Sequence, residues 1–517
     1  MNAGRRLAAN TLANWSGTAV AALASLLLAP YLLHNLGAER FGLYQIGRQL
    51  VAYFLLLNLG IGGSVIRFAS EAIVARDDAR INAVSNSAMA LYCGIALAGL
   101  LFAIGTGYLA PGFFRVDARY VAETRGLIWA LGVWWALGML ASPSRSILIG
   151  QQRFSWLNLV MATGALLALA LIFGMFELGY VSLFAVGIAF AAAAGVEIIA
   201  YLGLVRRLQP ALRWAFRSVD RRTLRQLGGF GAWNLLLTLA GLLLWWTDNI
   251  LIGRLLGPAA VPLYALPFML VTLGRVAVGG LSTPLTPLAA AQAREGGSRE
   301  LAVTLVRSTR RAVILTLAST GLLVVAAEDL FRLWIGPDYA SAWLVYGCLM
   351  ASFWAVYAQM PASNILLGAG DIRRPAAVVL SATALALAMK IVALGWLGQG
   401  VIAVALANCL CVLPVMALYV PRCACQLAQT SLARLYREAY LPPLLIFMPF
   451  AALGWLLFAR WTPANLLELI GVFAALVAGY LAASFWTLDV GEREAVHGLV
   501  HQLRAVIRGT RVTKCGP

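Results

Sequence analysis

Charge is what this sequence has least of. Asp, Glu, Lys and Arg supply 12% of its 517 residues, against 62% hydrophobic, whereas soluble domains run near a quarter charged. So few polar side chains cannot cover a water-facing surface, which excludes a soluble globular protein; mean hydropathy is +0.83. Histidine is almost missing: His34, His497 and His501 have no ligand spacing, so no metal is expected on them. No G-x4-G-K-[ST] stretch occurs, which excludes direct ATP hydrolysis of the Walker type. The seven cysteines lie mostly in apolar runs as small hydrophobes, and Cys423-x-Cys425 lacks the second pair that zinc needs. A large polar loop able to carry a catalytic domain is also lacking, so an enzyme is not expected. Met1 to Arg6 is short and basic, and the apolar run that follows has no small-residue cleavage site, so it reads as a retained first helix.

What is present is a series of apolar stretches, each about twenty residues or more, the length that crosses a bilayer as a helix. They fall at 11–33, 43–66, 84–108, 124–142, 156–176, 180–205, 229–253, 263–288, 310–327, 343–368, 375–396, 401–420, 441–459 and 464–486, and are numbered α1 to α14. The expected fold class is therefore an all-α integral membrane protein of about fourteen transmembrane helices.

The +18 formal charge has two readings. Nucleic-acid binding is excluded because the positives are scattered between apolar runs instead of forming one patch. Orientation explains them better. The N-terminus, the even-numbered loops and the C-terminal tail hold 29 Lys and Arg, the odd-numbered loops seven, and three fall inside spans. Under the positive-inside rule both termini are cytoplasmic, and 206–228, with seven arginines, is the main cytoplasmic linker.

That linker separates two similar halves. At an offset of 220 residues, Leu36-Gly37, Leu43-Tyr44, Leu50-Val51 and Gly60 match Leu256-Gly257, Leu263-Tyr264, Leu270-Val271 and Gly280. Near 218, Pro143, Ile147, Leu148 and Gly150 match Pro361, Ile365, Leu366 and Gly368. Two ordered blocks containing Gly, Pro and Tyr argue against coincidence among Leu-rich helices. Each half has six helices, an even number, so the repeat is parallel. Two parallel bundles can rock about a central cavity, which is alternating access. The expected division is 1–205 (α1–α6), the basic linker 206–228, 229–420 (α7–α12), 421–486 (α13–α14) and a tail, 487–517.

Leu36-Gly37-x6-Tyr44, Trp246-x-Asp248-x4-Gly253-x3-Gly257-x6-Tyr264, Gly336-Pro337-Asp338-Tyr339 and Asn364-x3-Gly368 carry a family likeness. The chain resembles, over essentially its whole length, the multidrug/oligosaccharidyl-lipid/polysaccharide (MOP) exporter superfamily, and within it the bacterial polysaccharide and O-antigen flippases. The resemblance implies a V-shaped, two-lobed helical fold in the bacterial inner membrane. It implies a function too: moving an undecaprenyl-pyrophosphate-linked oligosaccharide from the cytoplasmic to the periplasmic leaflet, alongside polysaccharide polymerase machinery. An ion-coupled multidrug or metabolite exporter of the same superfamily is the alternative.

Charge inside a span is costly and tends to face a cavity. Arg48 (α2), Glu197 (α6), Asp248 (α7), Arg275 (α8) and Lys390 (α11) are the candidates. Arg275 lies about twelve residues from either end of its span, beyond easy snorkelling reach. It is expected to line a water-filled cavity or pair with an acid. Arg48 and Lys390 lie near helix ends, within such reach, and Arg48 has polar company in Gln45 and Gln49. Arg48, Arg275, Lys390, Gln45 and Gln49 are the expected substrate-binding residues, with arginine suited to phosphate through its bidentate fork. Asp248 is expected either to pair with Arg275 or Arg48 or to bind a coupling proton or sodium ion. No cofactor is called for. Intramembrane bases outnumber acids three to two, which favours an anionic cargo over a cationic drug.

Topology follows from the charge count. Reporters fused after Arg222 and after Pro517 should report cytoplasm, and one after Asp338 periplasm. A periplasmic signal at Arg222 would overturn the orientation.

Overall fold

In lipid every backbone N–H and C=O must be satisfied inside the chain, and a helix does this segment by segment. The computed structural model describes residues 3–58, 61–215, 219–228, 232–282, 284–294, 297–371, 373–489 and 492–493, and these are helical throughout, with short turns between. The expected tail from 494 onward lies outside the described residues.

Among the described residues, eleven helices are long and apolar enough to cross a membrane. The difference from fourteen lies in three local breaks, each with a sequence cause. α1 and the start of α2 run on as Ala3–Ala52, turned at Gly37 (φ 79°, ψ 169°), a conformation that only glycine adopts without strain. α2 then passes a 3₁₀ turn, Tyr53–Asn58, and ends as Ile61–Ala75. α7 is split into Ala232–Trp245 and Asp248–Leu255. α10 is split into Ala342–Ala358 and Met360–Ala369, next to Pro361, which cannot donate a backbone hydrogen bond. The remaining helices are α3 Asp78–Phe113, α4 Val121–Gly150, α5 Phe154–Glu177, α6 Leu183–Leu208, α8 Pro262–Ser282 with Leu285–Arg294, α9 Ser298–Trp334, α11 Arg373–Gly395, α12 Ile402–Leu427, α13 Leu432–Arg460 and α14 Leu466–Thr487.

The element bounds repeat as the sequence blocks do. α3 and α9 open at Asp78 and Ser298, 220 residues apart. Gly37 and Gly257, also 220 apart, share one backbone conformation, with Gly257 at φ 93°, ψ 157°. Gly150 ends α4 against Ser70 in the second segment of α2, where an added Cβ would sit 3.0 Å from its Oγ. Gly368 ends α10 against Thr286 in the second segment of α8, where an added Cβ would sit 2.1 Å from the backbone oxygen. One packing solution is used twice, in two lobes related by a parallel repeat.

Within the first lobe, small residues bring α3, α4 and α6 close. Gly99 accommodates Trp135, Gly132 accommodates Ala103, and Gly187 accommodates Ala130. Such contacts drive helix association where lipid is as apolar as the side chains. The linker is tied to this lobe by two asparagines of α3. Asn82 and Asn86 donate to the carbonyls of Ala211 and Arg213 and accept from the amides of Arg213 and Ala215, at 2.8–3.0 Å. Asp220 caps the short helix Arg221–Gly228. Hydrogen bonds from the Thr223 hydroxyl and amide, then from the Arg222 amide, hold the Asp220 carboxyl below its ordinary pKa.

α13 and α14 stand outside the repeat and are fastened by charge. Beyond α14, Asp489 meets Arg307 at 3.0 Å and Arg310 at 3.3 Å, and the buried Glu492 meets Arg311 at 2.9 Å. Desolvation works upward on the Asp489 carboxyl, but the hydrogen bonds from Arg307 and Arg310 together outweigh it and lower its pKa.

The lobes meet where α1 turns into α2 and α7 into α8. An added Cβ on Gly42 would sit 1.9 Å from the Pro258 oxygen, and one on Gly253 2.3 Å from Ile46. The Tyr53 hydroxyl bonds the Thr247 hydroxyl at 2.5 Å, and Trp334 Nε1 donates to the Leu26 carbonyl at 3.2 Å. Arg254 lies over Phe113, 5.1 Å from the ring centroid. The odd-loop end of the molecule is thereby closed.

Gly368→Ala forces a methyl group against backbone that cannot move aside. It should destabilise the protein by about 1–3 kcal/mol, the usual cost of overpacking. Gly347→Ala, where nothing lies within 4 Å, should be neutral. Thermal melts in detergent measure both, and equal melting temperatures would refute the packing account.

Candidate functional site

The contact between lobes leaves a cavity of about 330 Å³, lined by α1, α2, α7 and α8. Four of the expected substrate-binding residues line it: Gln45, Arg48 and Gln49 from α2 and Arg275 from α8. Helical spacing sets the first group, since Gln45, Arg48 and Gln49 lie three and four residues apart and share a face.

Arg48 is half-buried. It donates to the Tyr44 hydroxyl at 3.1 Å, and its guanidinium carbon lies 5.5–5.9 Å from the ring centroids of Tyr44, Trp134 and Phe190. Arg275 opens onto the cavity and lies 4.9 Å from the Trp245 ring centroid. Aromatic faces stabilise a cation without neutralising it. Among the described residues neither arginine forms an ion pair. Arg275 is supported from behind by Tyr357, whose hydroxyl donates to the Val271 carbonyl at 2.8 Å. Gly274 makes room for that ring, since an added Cβ would lie 2.8 Å from it. Gln45 reaches across the cavity, with Nε2 4.0 Å from Met269 Sδ.

The structure places Lys390 elsewhere, not beside the two arginines. Its side chain is 2% exposed, and Nζ meets Asp248 Oδ1 at 2.5 Å. The other Asp248 oxygen accepts from the Tyr264 hydroxyl and from Asn408 Nδ2 at 3.4 Å. Asp248 is therefore not the partner of Arg275 or Arg48: Lys390 and two neutral donors from α8 and α12 surround its carboxylate. The expected pairing failed on register: linear depth in a span does not say which face of α7 meets which face of α11. Glu197 stays in the first lobe, over Gly164 of α5.

Sequence reading missed Asn249, which lines the cavity beside Gln49, as well as Asn408 and Tyr264 in the buried cluster. A single asparagine inside an apolar run was the available signal for Asn249 and Asn408. Arg145, expected in a loop, lies within α4 because that helix continues to Gly150. It bonds the Gly138 carbonyl at 2.8 Å.

A family model described as polysaccharide biosynthesis protein matches residues 7–291, more than half of the chain. The chain belongs to the polysaccharide biosynthesis protein family. It is a multi-pass membrane protein. A curated relative, the uncharacterized membrane protein EpsK of Bacillus subtilis (strain 168), is 21% identical over 416 residues, 80% of this chain and 82% of EpsK. An inward-facing MATE family multidrug resistance transporter of the MOP superfamily superposes with TM-score 0.68 at 16% identity, covering 80% of this chain and 96% of that one. The lipid II flippase MurJ in an inward closed conformation superposes with TM-score 0.65 at 12% identity, covering 93% and 99%. These likenesses give the chain a two-lobed V-shaped fold.

Breaking the Lys390–Asp248 pair from either side strands a charge in a buried site, at a cost of about 3–5 kcal/mol. Lys390→Met and Asp248→Leu should each lower membrane abundance and melting temperature, and the double variant should recover most of the loss. Losses that simply add would show that the two charges do not depend on each other.

Proposed function

We propose that this protein is a flippase of the MOP superfamily, which moves an undecaprenyl-pyrophosphate-linked oligosaccharide from the cytoplasmic to the periplasmic leaflet of a bacterial inner membrane, for surface-polysaccharide assembly. The observation that carries this reading is the pair Arg48 and Arg275, one from each lobe, facing one cavity without a carboxylate. A pyrophosphate brings the negative charge that such a cavity lacks, and two guanidinium forks replace its lost hydration with charge-assisted hydrogen bonds. A cationic drug would meet two like charges in a low-dielectric space instead.

With both termini cytoplasmic, as the basic loops dictate, the closed odd-loop end faces the periplasm. The cavity then loads from the cytoplasmic side. Release on the other side requires the contacts of Gly42 on Pro258 and Tyr53 on Thr247 to part while the two lobes close at the opposite end. Asp248 is the coupling group in this scheme. Its charge is held by Lys390, and its neighbour Thr247 makes the interlobe bond to Tyr53. A proton or sodium ion that takes the place of Lys390 at Asp248 therefore acts one residue from the gate.

Arg275→Ala should cut surface glycan by about 10- to 100-fold, the worth of one charge-assisted hydrogen bond or two, with membrane abundance unchanged. Arg275→Lys should restore part of it, since charge is kept and the fork is lost. Blots of surface glycan and of the protein measure both together. Full glycan in Arg275→Ala would refute the assignment.

A further inference from the structure

The cavity holds a second kind of unmet demand besides positive charge. Gln49 of α2 is 5% exposed and Asn249 of α7 is 2% exposed, and both line the cavity. Gln49 Oε1 and Asn249 Oδ1 are buried with no hydrogen-bond partner. The large majority of buried side-chain polar atoms are paired, and each one left unpaired is destabilising. Two such residues, one from each lobe, line this one cavity.

Amide chemistry narrows what pairs with such groups. A carboxamide offers an acceptor end and a donor end, so it is complemented by a group that both donates and accepts. A phosphate oxygen only accepts at neutral pH and is already answered by Arg48 and Arg275. A sugar hydroxyl does both, as does the acetamido group of an amino sugar. Trp246, three residues before Asn249, lines the same cavity, and an indole face suits the apolar face of a pyranose ring.

We infer that Gln49 and Asn249 form a sugar subsite, distinct from the arginines, which binds the hydroxyl or acetamido groups of the saccharide next to the pyrophosphate. The subsite rests on the flippase reading above and adds selectivity for loaded over empty carrier. Each lobe supplies one guanidinium and one amide, so a headgroup of pyrophosphate plus sugar touches both lobes with both of its parts. Bare carrier satisfies the arginines and leaves the amides unanswered.

The test uses the full chain in lipid nanodiscs and two labelled probes: undecaprenyl pyrophosphate, and the same lipid carrying one N-acetylhexosamine. Wild type should bind the sugar-bearing probe about tenfold more tightly, as two neutral hydrogen bonds give. In Gln49→Met/Asn249→Leu that preference should vanish, while affinity for the bare lipid stays within about twofold. Arg275→Ala should weaken both probes by one factor. The double variant should melt no lower than wild type, because unpaired polar groups have been replaced by apolar ones of similar shape. A tenfold preference that survives in the double variant overturns the subsite. So does equal weakening of both probes, or a lowered melting temperature, either of which gives the amides a phosphate or scaffolding role. Wild type that binds both probes equally overturns the subsite and leaves the flippase reading standing. Wild type that binds neither removes the flippase reading, and the subsite with it.

Discussion

Uncompensated positive charge between two lobes is the constraint on which the rest of this molecule depends. A guanidinium in a membrane-embedded cavity is costly unless water, a carboxylate or an anion answers it. The chain has a carboxylate nearby in sequence, Asp248, but commits it to Lys390 inside the second lobe. Arg48 and Arg275 are left with aromatic neighbours only, Tyr44, Trp134 and Phe190 for one and Trp245 for the other. The cavity is thus left cationic, with no carboxylate among the described residues that line it.

Duplication explains how two lobes supply one site, and divergence explains why they do different work. Gly37 and Gly257 turn the chain identically, and Tyr44 and Tyr264 follow each of them by seven residues. Yet the Tyr44 hydroxyl accepts from Arg48 and holds a cavity cation, whereas the Tyr264 hydroxyl donates to Asp248 and holds a buried anion. The same position in the repeat holds a cavity arginine in one lobe and the internal ion pair in the other. Thr247 bonds Tyr53 across the lobes and Asp248 follows it immediately, so the buried pair and the interlobe contact share one break in α7.

Much of this was legible in the sequence because membranes simplify the code. Hydropathy alone placed fourteen spans; among the described residues eleven helices are long and apolar enough to cross, and the difference lies at Gly37, at Trp246–Thr247 and at Gln359. The 220-residue repeat was readable because Gly37 and Gly257 share a positive-φ turn that favours glycine, and Gly150 and Gly368 each pack closely against the second segment of a neighbouring helix. Arg48, Gln45, Gln49 and Arg275 were found because a polar group in an apolar run stands out. What could not be read is azimuth. Lys390 was grouped with the arginines on depth, but the rotation of α11 turns it toward Asp248. Asn249 was passed over because the charge beside it drew the attention. Helix ends were read short wherever polar turns carry a helix past the lipid, as in α9, which begins at Ser298 and not near 310.

The sign of the cargo is the claim on which the account turns. Thermal unfolding of the purified protein reads it directly, since a ligand that binds only the folded state raises stability by about 2.7 kcal/mol at a hundred times its dissociation constant. Undecaprenyl pyrophosphate should raise the melting temperature in a saturable way, and undecaprenol and the cationic dye ethidium should not. Stabilisation by ethidium with none by the pyrophosphate lipid would contradict the account and make the protein an exporter of cations.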